Sequence, residues 1–331
     1  MKNQLKNVKG YTNTLVALSF ITIVFGALTA LFGEIAAPLY AASLAALYLY
    51  DTRSRRVLSI VVSLFVVGLN LILGNYVPTA AVFAVFAALV ISLMYNRGMS
   101  KGECFGYVTV INAVMILVGL FALACLSTKS LSFEAVFDYY GAIYEGIVGN
   151  IIKAINEAAV TASSSGITQS FDEETIRTLL DAVVLVLPSV LVIVAFLLSG
   201  ITAKIFTFIV SRLSAKPLEV LRWRFSTGNV FAYFYLIVSV LAFVAMGNDG
   251  FAIVVANLHN VFMVVYAYIG FNYVHFLISR SRSSFFATAI LIVAILALSS
   301  FALSLLSFIG VYFTIMKNKS ISKDNGTGVD S

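Results

Sequence analysis

The sequence predicts an all-α polytopic membrane protein of nine or ten transmembrane helices, with an extracytoplasmic amphipathic helix between them. Three observations lead there. Of 331 residues, 61% are hydrophobic and 11% charged, against about 45–50% and about 25% in an ordinary soluble domain. A mean hydropathy of +1.01 does not come from an enlarged core, because surface grows with volume and a soluble surface needs its charges. The apolar residues also come in blocks of about 17–25, the length that crosses a hydrocarbon core of roughly 30 Å. Finally, the basic residues gather on alternate loops. Together these exclude a soluble enzyme, a disordered chain and a nucleic-acid-binding domain, and they make the formal net charge of +6 a matter of topology.

The first block runs from Thr14 to Phe32 behind Lys2, Lys6 and Lys9. It is too long for a signal-peptide core and leads into further spans, so it reads as an uncleaved helix. Blocks follow at Ile35–Tyr50, Val57–Leu73, Pro78–Tyr95 and Phe105–Leu126, completing a five-span bundle over residues 1–126. After the segment 127–178, the apolar pattern resumes at Leu179–Ala203, Val230–Met246 and Phe251–Ile278, within a carboxy-terminal bundle over residues 179–316. Residues 317–331, rich in Ser, Asn, Gly and Asp, read as a disordered cytoplasmic tail.

With the amino terminus in the cytoplasm, the inner segments hold 15 of the 21 basic residues, among them Arg53, Arg55, Arg56, Lys204, Arg212, Arg222 and Arg280. The outer side holds Lys129, Lys153 and Arg177 alone, together with ten carboxylates from Glu34 to Asp249, as the positive-inside rule requires. The chain is therefore expected to cross a membrane many times with its amino terminus in the cytoplasm. The last block, Phe285–Met316, is 32 residues long. A hairpin breaking near Ser299-Ser300 returns Lys317, Lys319 and Lys323 to the cytoplasm and gives ten spans; one long tilted helix gives nine.

In the outer segment, apolar residues recur from Phe133 through Phe137, Tyr140, Tyr144, Val148 and Ile151 to Ile155, while Glu134, Asp138, Glu145, Lys153 and Glu157 fall off that face. This is helical period, and the helix lies in the interface or caps the bundle. A Ser-rich break at Thr161–Gly166 follows. Ser170 and Glu173 then form a capping box for a helix that continues into the sixth span through Pro188.

Catalytic signatures are mostly missing. No Walker loop, HExxH or GxSxG occurs, so no enzymatic activity and no cofactor are expected. His259 and His275, 16 residues apart, are too far along one helix to share a metal, and no metal site is expected. Cys104 and Cys125 lie 21 residues apart in one block, roughly 31 Å on a helix, and cannot bridge. Small residues recur every four positions at Gly26/Ala30, Ala37/Ala41/Ala45 and Ala80/Ala84/Ala88. Such faces let helix backbones approach closely within the bundle, or offer a docking surface to a partner subunit.

The most polar stripe lies on the eighth span, where Asn257, Asn260, Tyr268, Asn272 and His275, with Val264 between Asn260 and Tyr268, follow three- and four-residue steps. Polar groups there are costly unless they face protein or a water-filled cavity. They are either substrate contacts or interhelical hydrogen bonds, and Asn70 and Asn112 invite the same two readings. In the segment Lys204–Phe225, Arg212, Lys216, Arg222, Trp223 and Arg224 fit either an anionic membrane surface or a cytoplasmic partner.

Several short motifs carry a resemblance. The run from Pro188 to Ser211-Arg212-Leu213 precedes Leu221-Arg-Trp-Arg-Phe225; Asn257-Leu-His-Asn260 leads to Tyr266-Ala-Tyr-Ile-Gly270-Phe-Asn-Tyr-Val-His275-Phe; and the chain closes on Phe308-Ile-Gly310-Val-Tyr-Phe. In this order the chain resembles the YybS-like family of uncharacterised bacterial membrane proteins. Members of that family usually keep a Pro after the cytoplasmic Trp, where Ser226-Thr227 stands here, and an acidic residue with a basic end in the closing motif, where Val311-Tyr312 stands. The amino-terminal half, to about Arg212, is similar in layout to the substrate-binding membrane subunits of energy-coupling-factor transporters. The family has no established activity to carry over, but the multi-span bundle, the polar stripe and this layout together suggest small-molecule transport or solute binding without an ATPase of the chain's own, with a small-molecule ligand and a coupling subunit as partners beside the lipid bilayer. The alternative is a non-transporting scaffold or regulator that recruits partner proteins. No nucleic-acid partner is expected.

Overall fold

The computed structural model describes residues 11–51, 56–73, 78–97, 101–163, 173–213, 227–245, 250–278, 289, 293 and 301–316. Every regular element among them is a helix. They are α1 (Tyr11–Phe32), a 3-10 turn (Gly33–Ile35), α2 (Ala37–Tyr50), α3 (Val57–Leu73), α4 (Thr79–Arg97), α5 (Lys101–Thr128), α6 (Phe133–Ser163), α7 (Glu173–Leu213), α8 (Asn229–Val244) and α9 (Gly250–Ile278). A further helix, α10, covers Phe301–Met316. By length and composition, α1, α5, α7 and α9 can each cross a membrane, and five shorter apolar helices accompany them among the described residues. The all-α membrane architecture is therefore as the sequence predicts.

The helices follow the hydropathy blocks, with informative differences at their ends. Helix α3 coincides with its block. Helix α5 begins at Lys101, four residues before the apolar run at Phe105, because hydropathy marks what sits in lipid whereas backbone hydrogen bonding continues past it. Helix α6 begins at Phe133, where the apolar period begins, and runs to Ser163. Thr161 to Ser163, the first residues of the expected break, belong to the helix, and the rest of that segment lies outside the described residues. Helix α7 spans 41 residues and is continuous through Pro188. The first part of its expected capping box, Ser170 to Asp172, and the expected hairpin break at Ser299-Ser300 lie outside the described residues, as does the tail.

The chain divides into two compact units. One gathers α1–α6 and most of α7; the other gathers Pro188–Ile193 of α7 with α8, α9 and α10. The boundary expected at residue 126 falls inside the first unit.

At the centre of the first unit stands α2. Twelve of its 14 residues are buried, and at about 21 Å it is shorter than a bilayer core. Helices α1, α3 and α4 pack around it. Its alanines make this possible by keeping the helix thin. Ala41 and Ala45 belong to the predicted small face, but Ala42, Leu44, Ala46 and Leu47 are fully buried too. Ala80, Ala84 and Ala88 of α4 are also in this core. Where α1 crosses α3, a Cβ on Gly26 would run into the Val66 side chain. At the far end of α2, the buried Asp51 accepts hydrogen bonds from the Ser59 N–H (2.9 Å) and hydroxyl (3.0 Å), satisfying an orphan donor in the first turn of α3. Phe20, Leu64 and Ile72 point outward, as side chains facing lipid do.

Helix α6 is fastened to this unit by its tyrosines and one ion pair. Tyr140 donates to the Leu120 carbonyl (2.7 Å), Tyr144 donates to Asp181 (2.6 Å), and Arg177 makes two 3.1 Å bonds to Glu145. The Asp181 bond raises the pKa of Tyr144 and keeps it a donor. Phe133 and Phe137 remain exposed.

The second unit is built on a close crossing. A Cβ on Gly270 would strike the Leu306 carbonyl, and one on Gly310 would strike the Tyr266 carbonyl, so α9 and α10 meet backbone to backbone. Beside the crossing, Tyr235 of α8 stacks on Tyr266 at 5.1 Å and on His259 at 5.8 Å. The Tyr235 hydroxyl lies 3.0 Å from the Ser307 hydroxyl, and Thr227 donates to Tyr266 at 3.0 Å.

Candidate functional site

The first unit holds a partly open cavity of about 440 Å³ at the end where α1 gives way to α2. Gly33 makes that passage, with a φ of +56° in the left-handed region that glycine enters without steric cost. The 3-10 turn it opens carries Glu34 to the cavity wall. Glu34 lays its carboxylate against Gly119 of α5, where a Cβ would strike its Oε1. Glycine at position 119 thus makes room for the carboxylate. Thr79, at the first turn of α4, lines the same region, and Asn70 of α3 lines the floor. The Leu120 carbonyl that receives Tyr140 belongs to a cavity-lining residue, so α6 buttresses this wall from outside.

Most of the lining is apolar, including Ile116, Leu123 and Leu198, and Glu34 is the one ionisable side chain among the described lining residues. Asn70 is 3% exposed and ties α3 to α1. Its amide nitrogen donates to the Gly26 and Val66 carbonyls, both at 3.0 Å. Its oxygen lies 2.9 Å from the Thr29 hydroxyl, which also lies 2.6 Å from the Gly26 carbonyl. The two acceptor carbonyls fix which way the amide points. Asn70 thus makes the interhelical hydrogen bonds of one reading and also borders the cavity. Asn112 makes an interhelical bond, donating to Ser199 at 2.8 Å.

The five polar residues of α9 are placed differently, and none of them lines this cavity. At about 100° per residue, their stripe lies opposite the buried face formed by Val255, Tyr266, Ile269 and Gly270. Asn257 accepts a 2.9 Å bond from the Ser189 N–H, next to Pro188, and donates to the Ile253 carbonyl at 2.9 Å. Asn272 donates to the Tyr268 carbonyl one turn back at 2.8 Å. His275 is exposed and stacks on Phe271, while Asn260 and Tyr268 are half-buried. Asn257 and Asn272 are thus engaged with backbone carbonyl or amide groups.

Of the basic segment, Arg212 is exposed, its guanidinium 5.4 Å from the centroid of the Phe208 ring. Lys216, Arg222, Trp223 and Arg224 lie outside the described residues. Among the described residues, no three His, Cys, Asp or Glu side chains gather to hold a metal.

The feature that sequence reasoning passed over is Glu34. It stands between two apolar blocks directly after a glycine, a signal that was there to be read, yet it counted only as one outer carboxylate among ten. No curated protein and no solved structure matches the chain. A family model described as a predicted membrane protein matches residues 14–312, and with nearly its whole length covered the chain belongs to that family, DUF2232.

Proposed function

We propose that this protein binds a small solute in the cavity of its amino-terminal unit, as a transport or solute-capture protein without an ATPase of its own. The observation that carries the reading is the cavity itself. A volume of about 440 Å³ lies within the roughly 300–1,000 Å³ usual for ligand sites, and apolar walls with a few convergent polar groups are the usual lining. The distribution of basic residues supports a cytoplasmic amino terminus, which puts the Glu34 end of the cavity on the outer side of a bacterial membrane. The similarity in layout to substrate-binding subunits of energy-coupling-factor transporters supports the same reading, with the small-residue faces as docking surfaces for a coupling subunit. This moves the proposed pocket contacts from the α9 stripe to Glu34, Asn70 and Thr79.

Ala122 lines the cavity, and Ala122→Phe places a ring in it. Thermal unfolding of the purified protein against a panel of cationic, anionic and neutral metabolites tests the reading. Some members are expected to raise Tm in the wild type and to have no effect on the Ala122→Phe variant. If no member shifts the wild type, or the shifts persist in the variant, the cavity is not a binding site.

A further inference from the structure

The polar groups around the cavity are unequal in kind. Asn70 has spent both amide hydrogens on the Gly26 and Val66 carbonyls, and Thr29 has one hydrogen, directed between the Gly26 carbonyl and Asn70 Oδ1. What these side chains still offer is acceptor capacity, since an amide oxygen carries two lone pairs and Thr29 meets one of them. Glu34 adds a carboxylate, which when ionised accepts only. Among the described residues no basic side chain lines the cavity or pairs with Glu34. Among the described lining residues, Thr79 alone has a hydroxyl with no hydrogen-bond acceptor of its own. A ligand that complements this lining brings hydrogen-bond donors and positive charge, while its body meets Ile116, Leu123 and Leu198.

We propose that the solute is a small organic cation with an apolar body, its N–H groups received by the Glu34 carboxylate and Asn70 Oδ1. This rests on the solute-binding reading above and narrows it to a chemical class. Charge-assisted hydrogen bonds are about twice as strong as neutral ones. Preference is therefore set mainly at Glu34. The opposing outcome is an anion at the amino end of α4, beside Thr79, where the helix dipole favours negative charge.

The test is calorimetric titration of the purified full chain with matched sets sharing one apolar skeleton: tryptamine, phenethylamine and hexylamine, each against the corresponding carboxylate and alcohol. The amines are expected to bind at least tenfold tighter than the alcohols, and the carboxylates not at all. Glu34→Gln should erase that preference while leaving alcohol binding in place, a result that also shows the variant to be folded. Carboxylates or alcohols binding as well as the amines, or an undiminished amine preference in Glu34→Gln, overturns the assignment of class. If wild type and Ala122→Phe respond alike to every compound, solute binding has failed and the assignment falls with it.

Discussion

The two units use small residues for different ends. In the first, alanines make α2 thin enough to be surrounded on all sides, and the helices around it leave a cavity at one end. In the second, Gly270 and Gly310 bring α9 and α10 into direct backbone contact, and the stacked Tyr235, Tyr266 and His259 fill the space beside it. Small side chains therefore do not mean one thing in a membrane bundle. Where they line a helix enclosed by side chains, room can remain for a ligand. Where they sit opposite each other at a crossing, the backbone itself closes the gap.

The most forceful way to break this contrast is Gly270→Leu. The new side chain meets the Leu306 carbonyl, and backbone cannot move aside as a side chain can, so the loss is expected to reach about 3 kcal/mol or more. Gly200→Ala, whose added Cβ meets nothing within 4 Å, should instead stabilise by about 0.5–1 kcal/mol through helix propensity. Thermal unfolding gives the size of the effect, and thiol labelling says where it falls. Cys104 is fully buried in the first unit, so in Gly270→Leu its labelling rate should stay near that of wild type. Fast labelling of Cys104 in this variant would show the two units to be one cooperative body.

Gly26→Ala applies the same pressure to the first unit, and the expected result is milder. Its Cβ meets the Val66 side chain rather than backbone, which puts the cost at about 1–3 kcal/mol. Because the obstacle is a side chain, Val66→Ala in the same molecule should restore much of the loss. A double-mutant cycle measures this coupling. Additive losses would mean that α1 and α3 are held apart by something other than the Gly26–Val66 contact.

The contrast also shows what a sequence can and cannot declare. Helix positions were legible because lipid imposes a length and a hydropathy on each span, and α6 because its apolar residues keep helical period from Phe133 onward. The burial of α2 on every side was not legible. Ala37, Ala41 and Ala45 mark one face, and nothing in their spacing says that Ala42, Leu44 and Ala46 are enclosed as well. The α9 stripe was correctly seen as a shared face, but periodicity does not reveal what a face looks at; Asn257 turns out to bond to the chain beside Pro188. Glu34 stood in view as a carboxylate between two apolar blocks, but its place at a cavity wall did not, for a related reason. A single carboxylate in a turn has no period, and that wall arises only when α3, α4, α5 and α7 come together around it.

The smallest predicted effect concerns a left-handed position that does not carry glycine. At Gly33 the chain turns at φ +56° with the residue suited to it, whereas α5 ends on Lys129 at φ +55°. There the Ser130 N–H reaches back to the Cys125 carbonyl at 3.2 Å, the six-residue closure of a Schellman cap with Lys129 at the position that glycine usually fills. An L-residue in this conformation costs roughly 1–2 kcal/mol, part of which a glycine returns as unfolded-state entropy. Lys129→Gly should therefore stabilise the first unit by about 0.5–1 kcal/mol, read as a higher Tm and slower labelling of Cys125, which lies in the same cap. Because Leu120, Ala122 and Leu123 of this helix line the cavity, the substitution also separates stability from binding. Tm should rise while the affinity for any cavity ligand stays as in the wild type. A matching change in affinity would show that the cap, and not only the lining residues, sets the shape of the site.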